Sequence, residues 1–528
     1  MVENPILPGF NADPSFIRVG DDYYIAVSTF EWYPGVQIYH STDLANWTLV
    51  SRPLKRAAQL DMRGNGDSCG IWAPCLSHAD GKFWLVYTDV KRLDGAFKDT
   101  HNYIVCCDAI DGAWSDPWYV NSSGFDPSLF HDDDGRKWFM NMQWNHRGEG
   151  TGGNPAHASF DGVLLQEWSP EKGLLGPVKN IYTGTNKGLT EAPHIFKRNG
   201  WYYLTTAEGG TGYNHAVTLA RSRDIWGPYE DHPDKYVITV DDPSHPIQRT
   251  GHGQYVEADD GTGWHTFLMG RPLYVDGKPY CQMGRESGLA KVVWQDDWMY
   301  LAGGGQMPPS QVDVGAEAAP RQDVVHARFD NLPSEFQWLR TPDKDRLFRL
   351  AEGQLILTGR ESIGSHFEQS LVARRQEDWA YDAETSVDFA PDAYQQAAGL
   401  ITYYNRHKFH GVLVTNEGGQ RVLSTMSCNG DWPECGMQVT AGVPVQDGPI
   451  DLRVEVRGPT QQFSWFQGGA WQAVGPAFDA YQISDEGGRG EHASFTGAFV
   501  GMIAFDLTGK AKEAAFSRFA YRPQPFAP

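Results

Sequence analysis

Apolar and polar positions alternate in short runs along the first half of the chain, and a glycine turn opens each run. The runs are Gly20-Asp21-Asp22-Tyr23-Tyr24-Ile25, Gly81-Lys82-Phe83-Trp84-Leu85-Val86-Tyr87 and Asp134-Gly135-Arg136-Lys137-Trp138-Phe139-Met140. Asn199-Gly200-Trp201-Tyr202-Tyr203-Leu204 and Gly261-Thr262-Gly263-Trp264-His265-Thr266-Phe267-Leu268 complete the set. A Gly or Asp/Asn-Gly turn followed by aromatic and β-branched residues predicts a hairpin. The five hairpins recur at intervals of about 60 residues, the mark of a repeat architecture. A second motif follows three of them, as Ser41-Thr42-Asp43-Leu44-Ala45-Asn46-Trp47, Ile110-Asp111-Gly112-Ala113-Trp114 and Ser222-Arg223-Asp224-Ile225-Trp226. Long helical periodicity is scarce. Five all-β units in one phase predict the blades of a propeller, not a sandwich whose turns happen to coincide.

A short segment, usually ending in proline, precedes each hairpin. These are Ala12-Asp13-Pro14, Trp72-Ala73-Pro74, Phe125-Asp126-Pro127, Glu191-Ala192-Pro193 and Thr250-Gly251-His252. A residue before proline is biased to extended backbone, and proline is tolerated at the first position of a strand. The segments are therefore expected to start the innermost strand of each blade, the one that lines the central channel. That phase predicts that Asp13, Trp72, Asp126, Glu191 and His252 converge at one channel mouth. Arg285, in the polar turn Met283-Gly284-Arg285-Glu286-Ser287-Gly288, is expected within reach of it.

The phase is lost after a Gly-, Ala- and Pro-rich stretch between Gly303 and Ala319. Beyond it, runs such as Leu400-Ile401-Thr402-Tyr403-Tyr404 and Gly411-Val412-Leu413-Val414-Thr415 predict an antiparallel sandwich. The expected fold is thus all-β: a five-bladed β-propeller over residues 1–305, a linker over 306–322, and a concanavalin-like β-sandwich over 323–528. A chain of 528 residues exceeds one ordinary core, in keeping with two domains.

Composition narrows the function. A formal charge of -22 argues against nucleic acid or an anionic membrane surface as partner and suits an uncharged substrate. Seven cysteines, with no CxxC pair and no Cys/His metal spacing, point to reduced thiols and to neither a disulfide framework nor a zinc site. Met1-Val2-Glu3-Asn4-Pro5 has no basic segment followed by an apolar one, and no apolar run approaches membrane-spanning length, so a cytoplasmic protein is expected.

Three carboxylates at one channel mouth, with aromatic walls and an arginine, suit cleavage of a glycosidic bond. That reaction needs a proton donor for the leaving oxygen and a base or nucleophile on the opposite face. Carboxyl groups held close raise one another's pKa, which keeps one protonated at neutral pH. An Asp before Pro is also a common turn starter, but the phase that Asp13 shares with Asp126 and Glu191 favours a convergent site. Phe30, Trp32, Trp72 and Trp144 are the candidate walls for sugar faces.

The segments Asn4-Pro5-Ile6-Leu7 through Asp13-Pro14-Ser15, Ser28-Thr29-Phe30-Glu31-Trp32 and Gly70-Ile71-Trp72-Ala73-Pro74 closely resemble the β-xylosidases of glycoside hydrolase family 43. So do Ser123-Gly124-Phe125-Asp126-Pro127-Ser128-Leu129-Phe130, Thr190-Glu191-Ala192-Pro193-His194 and Thr250-Gly251-His252-Gly253. The resemblance runs along nearly the whole chain. It implies an exo-acting enzyme that releases xylose from xylo-oligosaccharides with inversion. Asp13 is then the general base, Glu191 the general acid, and Asp126 the residue that orients Glu191 and raises its pKa. The resemblance makes Arg285 the substrate-binding arginine, with Phe30, Trp72 and Ala73 lining the terminal-sugar pocket and Trp144 a platform for the next sugar. It places His252 near the channel axis, where some relatives hold Ca2+ or another divalent cation and others water; no cofactor is required. It implies that a phenylalanine of the second domain, Phe495 or Phe499, closes the pocket, and that the protein forms a dimer or tetramer. Asn145 stands where many relatives carry an acidic residue, on the leaving-group side. The competing readings are an α-L-arabinofuranosidase, a non-catalytic sugar-binding propeller and a retaining fructan or sucrose hydrolase.

Overall fold

The computed structural model describes residues 1–430, 436–488 and 494–527. Five antiparallel sheets form the blades. Blade 1 is Ala12–Val19, Asp22–Ser28, Gln37–Ser41 and Thr48–Ser51, and blade 2 is Gly70–Ala79, Lys82–Arg92, Asp99–Cys107 and Trp118–Asn121. Blade 3 is Ser128–His131, Lys137–Trp144, Phe160–Ser169 and Gly173–Tyr182, and blade 4 is Glu191–Arg198, Trp201–Glu208, Ala216–Ser222 and Glu230–Thr239. Blade 5 runs Gln248–Gly251, Gly263–Gly270, Glu286–Gln295 and Trp298–Leu301, with Tyr255–Glu257 beside its second strand. Among the described residues helix is confined to three 3₁₀ turns, and no helix is long and apolar enough to cross a membrane.

The repeated turns do what their residues dictate. Asp80-Gly81 takes φ of +55° and +69°, and Asn199-Gly200 +51° and +73°, the left-handed pair that a tight hairpin requires. The strands they launch bury their aromatic residues between blades. Trp84, Val86 and Ile104 of blade 2 pack on Leu129, Phe139 and Trp168 of blade 3. Phe16, Ile25 and Val27 of blade 1 pack on Trp264 and Leu289 of blade 5, which closes the ring. The tryptophans of the second motif pin their own turns: Trp47 Nε1 donates to the Leu44 carbonyl at 3.1 Å and Trp114 Nε1 to that of Ile110 at 3.3 Å.

The strand starts differ from expectation. Asp13, Ala73, Asp126, Ala192 and His252 are not extended but take φ of +57°, +20°, +53°, +53° and +30°. At three of the five the ladder slips across that residue, between Ala12 and Ser15, Trp72 and Cys75, and Glu191 and His194. These three starts are β-bulges, which bend the strand and re-aim its side chains. Ladder bonding is interrupted there, so the missing proline N–H costs nothing, and the constrained φ falls on the residue before. The structurally equivalent positions are those five, with Ala12, Trp72, Phe125, Glu191 and Gly251 one step earlier.

The second domain is a sandwich. One sheet orders Phe348–Ala351, Gln354–Thr358, Glu513–Pro523, Ala380–Asp388, Ile450–Arg457, Thr460–Gln467 and Ala470–Asp479. Ile450, Leu452, Val454 and Val456 point inward and the residues between them outward, the period of a half-buried strand. The other sheet runs through Gln420–Asn429, Lys408–Glu417, Gln396–Asn405, Phe499–Asp506, Ser370–Arg375 and Gln337–Leu339. Its last strand is Trp32–Tyr33, which belongs to the propeller: Trp338 pairs with Tyr33 and Leu339 with Trp32. One sheet thus crosses the domain boundary beside the channel mouth.

Candidate active site

The bulged strand starts and the crossing sheet enclose a cavity of about 220 Å³ at the channel mouth. Asp13, Asp126, Glu191, His252 and Arg285 supply most of its polar lining, and Phe30, Trp72, Phe125 and Phe495 most of its apolar wall. The volume lies below the roughly 300–1,000 Å³ of sites for drug-sized ligands, a scale suited to one sugar residue.

Asp13 is 4% exposed. Its Oδ2 accepts from the Ser28 hydroxyl at 2.6 Å, and Arg285 Nη1 and His252 Nδ1 approach Oδ1 at 3.3 and 3.5 Å. Burial alone would raise this carboxyl, but Arg285, His252 and Ser28 together outweigh it and hold Asp13 below the ordinary carboxylate range. The other two carboxyls go the opposite way. Burial first, then the charge of Asp13, lifts Glu191 to about 8 against the pull of Arg285. Burial, then the charges of Glu191 and Asp13, places Asp126 well above its usual range. The charge that raises Glu191 is that of Asp13, where the sequence reading expected Asp126. The Asp126 carboxyl instead takes a hydrogen bond from the backbone of Ala192, the residue next to Glu191.

Arg285 is fixed from the second domain: its Nε and Nη2 donate to the Phe495 carbonyl at 2.9 and 2.7 Å. Its guanidinium carbon lies 5.0 Å from the Phe30 ring centroid and 5.7 Å from that of Phe495. The Phe495 backbone N–H in turn donates to the Ser68 hydroxyl at 3.0 Å, and Trp72 Nε1 to the Ser68 carbonyl at 2.8 Å. Ser68 therefore clips one wall from each domain.

Four sequence-predicted residues lie elsewhere than in the lining. Trp32, expected as a wall for a sugar face, is wholly buried in the strand that pairs with the second domain. Phe499 is wholly buried, its ring stacked on Trp32 at 3.7 Å, so it belongs to the core under the crossing sheet and not to the pocket. It opens the strand Phe499–Asp506, whereas Phe495 precedes that strand and turns outward. Ala73 is buried behind Trp72 as the bulge residue. Trp144 is half-exposed at the rim, edge-on to Phe160 at 5.4 Å, with Lys98 Nζ 4.5 Å from the centre of its ring.

Sequence reasoning missed Phe125, Phe160, Leu93, Lys98, Gly210 and Thr211, all of which border the cavity. Phe125 was legible, because it stands one step before a residue of positive φ as Trp72 does. Phe160 opens the third strand of blade 3, and the others come from connecting segments outside the repeat.

His194, His215 and His265 surround His252 in the channel, all buried, and burial holds all four below the ordinary imidazole value. Nε2 of His215 and of His265 has no hydrogen-bond partner. Such nitrogens are of the kind a cation or an ordered water takes, yet among the described residues no three His, Cys, Asp or Glu side chains converge as a metal site.

Comparison with known proteins follows the two domains. The family model described as glycosyl hydrolases family 43 matches residues 2–299, and that of a β-xylosidase C-terminal concanavalin A-like domain matches 327–522. The chain is 55% identical to xylosidase/arabinosidase 43B of Humicola insolens, over 99% of this chain and 98% of that protein. It is 44% identical to a β-xylosidase of Bacillus subtilis, over 99% of each. The crystal structure of a xylan β-1,4-xylosidase from Bacillus halodurans superposes with a TM-score of 0.92 at 45% identity, over 99% of this chain and all of that one.

Proposed function

The chain belongs to glycosyl hydrolases family 43, and on that premise we propose that it is an exo-acting β-1,4-xylosidase, releasing xylose from the non-reducing end of xylo-oligosaccharides with inversion. One observation carries the reading: a pocket closed by the second domain holds one carboxyl ionised and a second protonated at neutral pH. Inversion needs that division of labour, a base to activate water on one face of the sugar and an acid to protonate the leaving oxygen on the other.

Asp13 takes the proton from water, which attacks the anomeric carbon while Glu191 gives its own proton to the glycosidic oxygen. Arg285 and His252 keep Asp13 ionised until that moment, and Arg285 also offers donors to the sugar hydroxyls. Asp126, bonded to the Ala192 backbone, positions the turn that carries Glu191. Phe30, Trp72 and Phe495 pack on the sugar and exclude water, which strengthens each electrostatic contact within. A wall at Phe495 leaves room for a chain end only, hence exo action.

The Humicola insolens relative, a xylosidase/arabinosidase, favours a second activity on α-L-arabinofuranosides at the same site. Rates on the nitrophenyl β-D-xylopyranoside and α-L-arabinofuranoside rank the two, and a far faster arabinofuranoside would reverse the assignment. Proton NMR of the first-formed xylose tests the mechanism. The α-anomer is expected, and the β-anomer would remove Asp13 as base.

A further inference from the structure

Aromatic rings line a path from the pocket to the surface. Phe30 lies 5.9 Å from Trp72, Trp72 5.2 Å from Phe125, and Phe125 6.3 Å from Trp144 at the rim, ring centre to ring centre. The path does not stop there. Just outside Trp144, Phe97 stacks on His146 with ring centres 4.5 Å apart and planes 22° from parallel. Phe97 is 61% exposed and His146 is exposed as well. A lone exposed phenylalanine needs no explanation, but this one is paired, and its members sit next to Lys98 of the pocket and two positions after Trp144 at the rim.

The pair is also held in place. Trp144 Nε1 donates to the Ala96 carbonyl at 2.8 Å, Lys98 Nζ donates to the Leu93 carbonyl, and the same Nζ caps the Trp144 ring. These bonds tie the segment that carries Phe97 to the segment that carries His146. A flat apolar face with polar groups at its edge matches a pyranose, which stacks one face and keeps its hydroxyls in water.

We propose that Phe97 and His146 form an outer subsite for the third sugar of a xylo-oligosaccharide, counted from the non-reducing end. This rests on the xylosidase reading above, with the terminal sugar in the pocket and the second at Trp144. The outer subsite makes the enzyme sense chain length: a trisaccharide gains a contact that a disaccharide cannot reach.

The test compares kcat/KM on xylotriose and xylobiose for the intact protein and for Phe97→Ala and Phe97→Trp. Phe97→Ala is expected to lower the xylotriose-to-xylobiose ratio about threefold or more, the scale of one lost stacking contact, and Phe97→Trp to restore it. A smaller fall, or an equal fall with tryptophan, overturns the proposal. Light scattering on the same variants separates the other use of an exposed aromatic: a change of oligomer mass with the ratio unmoved would make Phe97 a contact between copies of the chain. Wild-type protein that cleaves neither sugar would refute the xylosidase reading itself, a different result from an unmoved ratio.

Discussion

Removing the Glu191 carboxyl should erase the alkaline limb of the pH profile, by an amount that depends on the leaving group. With its carboxyl lifted to about 8, Glu191 carries its proton at neutral pH. At pH 7 roughly nine-tenths of such a group is protonated, against about 0.2% for a glutamate at its ordinary value, so the site multiplies the acid form ~450-fold. The sign follows: the proton is available below about pH 8 and lost above it. Asp13, held below the usual range, sets the acid limb. The assay is kcat/KM from pH 4 to 10 for wild type and Glu191→Gln, on xylobiose and on a dinitrophenyl xyloside. The sugar alcohol of xylobiose leaves poorly unprotonated, so the variant should lose about 10²–10⁴-fold, the span of general acid catalysis. The dinitrophenolate leaves without help and should lose far less, with the limb near 8 gone. Equal losses on both substrates, or a limb that persists in the variant, would refute the assignment of Glu191 as acid.

Three further outcomes follow. Phe495→Ala should raise KM about tenfold through loss of one pocket wall, with little change in melting temperature, whereas Phe499→Ala, in the core, should destabilise the fold by about 3–5 kcal/mol; kinetics and thermal melts on both variants check the contrast. Between the unfolded glutamate value, about 4.3, and about 8, the folded state binds more protons at Glu191 than the unfolded one, so stability falls as pH rises through that window. Glu191→Gln should therefore raise the melting temperature more at pH 8 than at pH 5. Exhaustive treatment with a chelator should leave kcat within about twofold, since neither acid nor base chemistry needs a Lewis acid here; a loss restored by Ca2+ would give the channel histidines a metal to hold.

The blades were legible in the sequence because one physical object recurs five times, a glycine turn that launches a buried aromatic strand, with a tryptophan-bearing loop after three of them. The convergence of Asp13, Asp126 and Glu191 at one mouth followed from that repeat alone. What the repeat concealed was its own phase. Proline marks the residue after the bulge, so Trp72 and Glu191 lie one step before Asp13 and Asp126 in the structural alignment, and Phe125 falls in line with them. The extended backbone expected before each proline gave way to a left-handed residue, because tertiary packing around the channel overrides a local preference worth little by itself. Phe495 and Phe499 could not be told apart by pattern, since both are apolar and four positions apart; only the turn ahead of the strand decides which one faces the sugar. Lys98 and Leu93 left no signal, being carried by a segment that no other blade repeats.

The strand Trp32–Tyr33 has a consequence for anyone who would recombine this protein. Its hydrogen-bond partner is Gln337–Leu339 in the other domain, and it begins two residues after Phe30, a wall of the pocket. The stretch between the two family matches, residues 300–326, looks like a natural splice point. A cut there severs the covalent link and leaves the sheet without its shared edge, so the catalytic half alone would carry an unpaired strand beside a pocket missing Phe495. The two halves are thus one hereditary unit: a graft that exchanges the sandwich for that of a distant relative must carry the matching edge and the matching phenylalanine together, or the recipient inherits a propeller with its sugar site open to water.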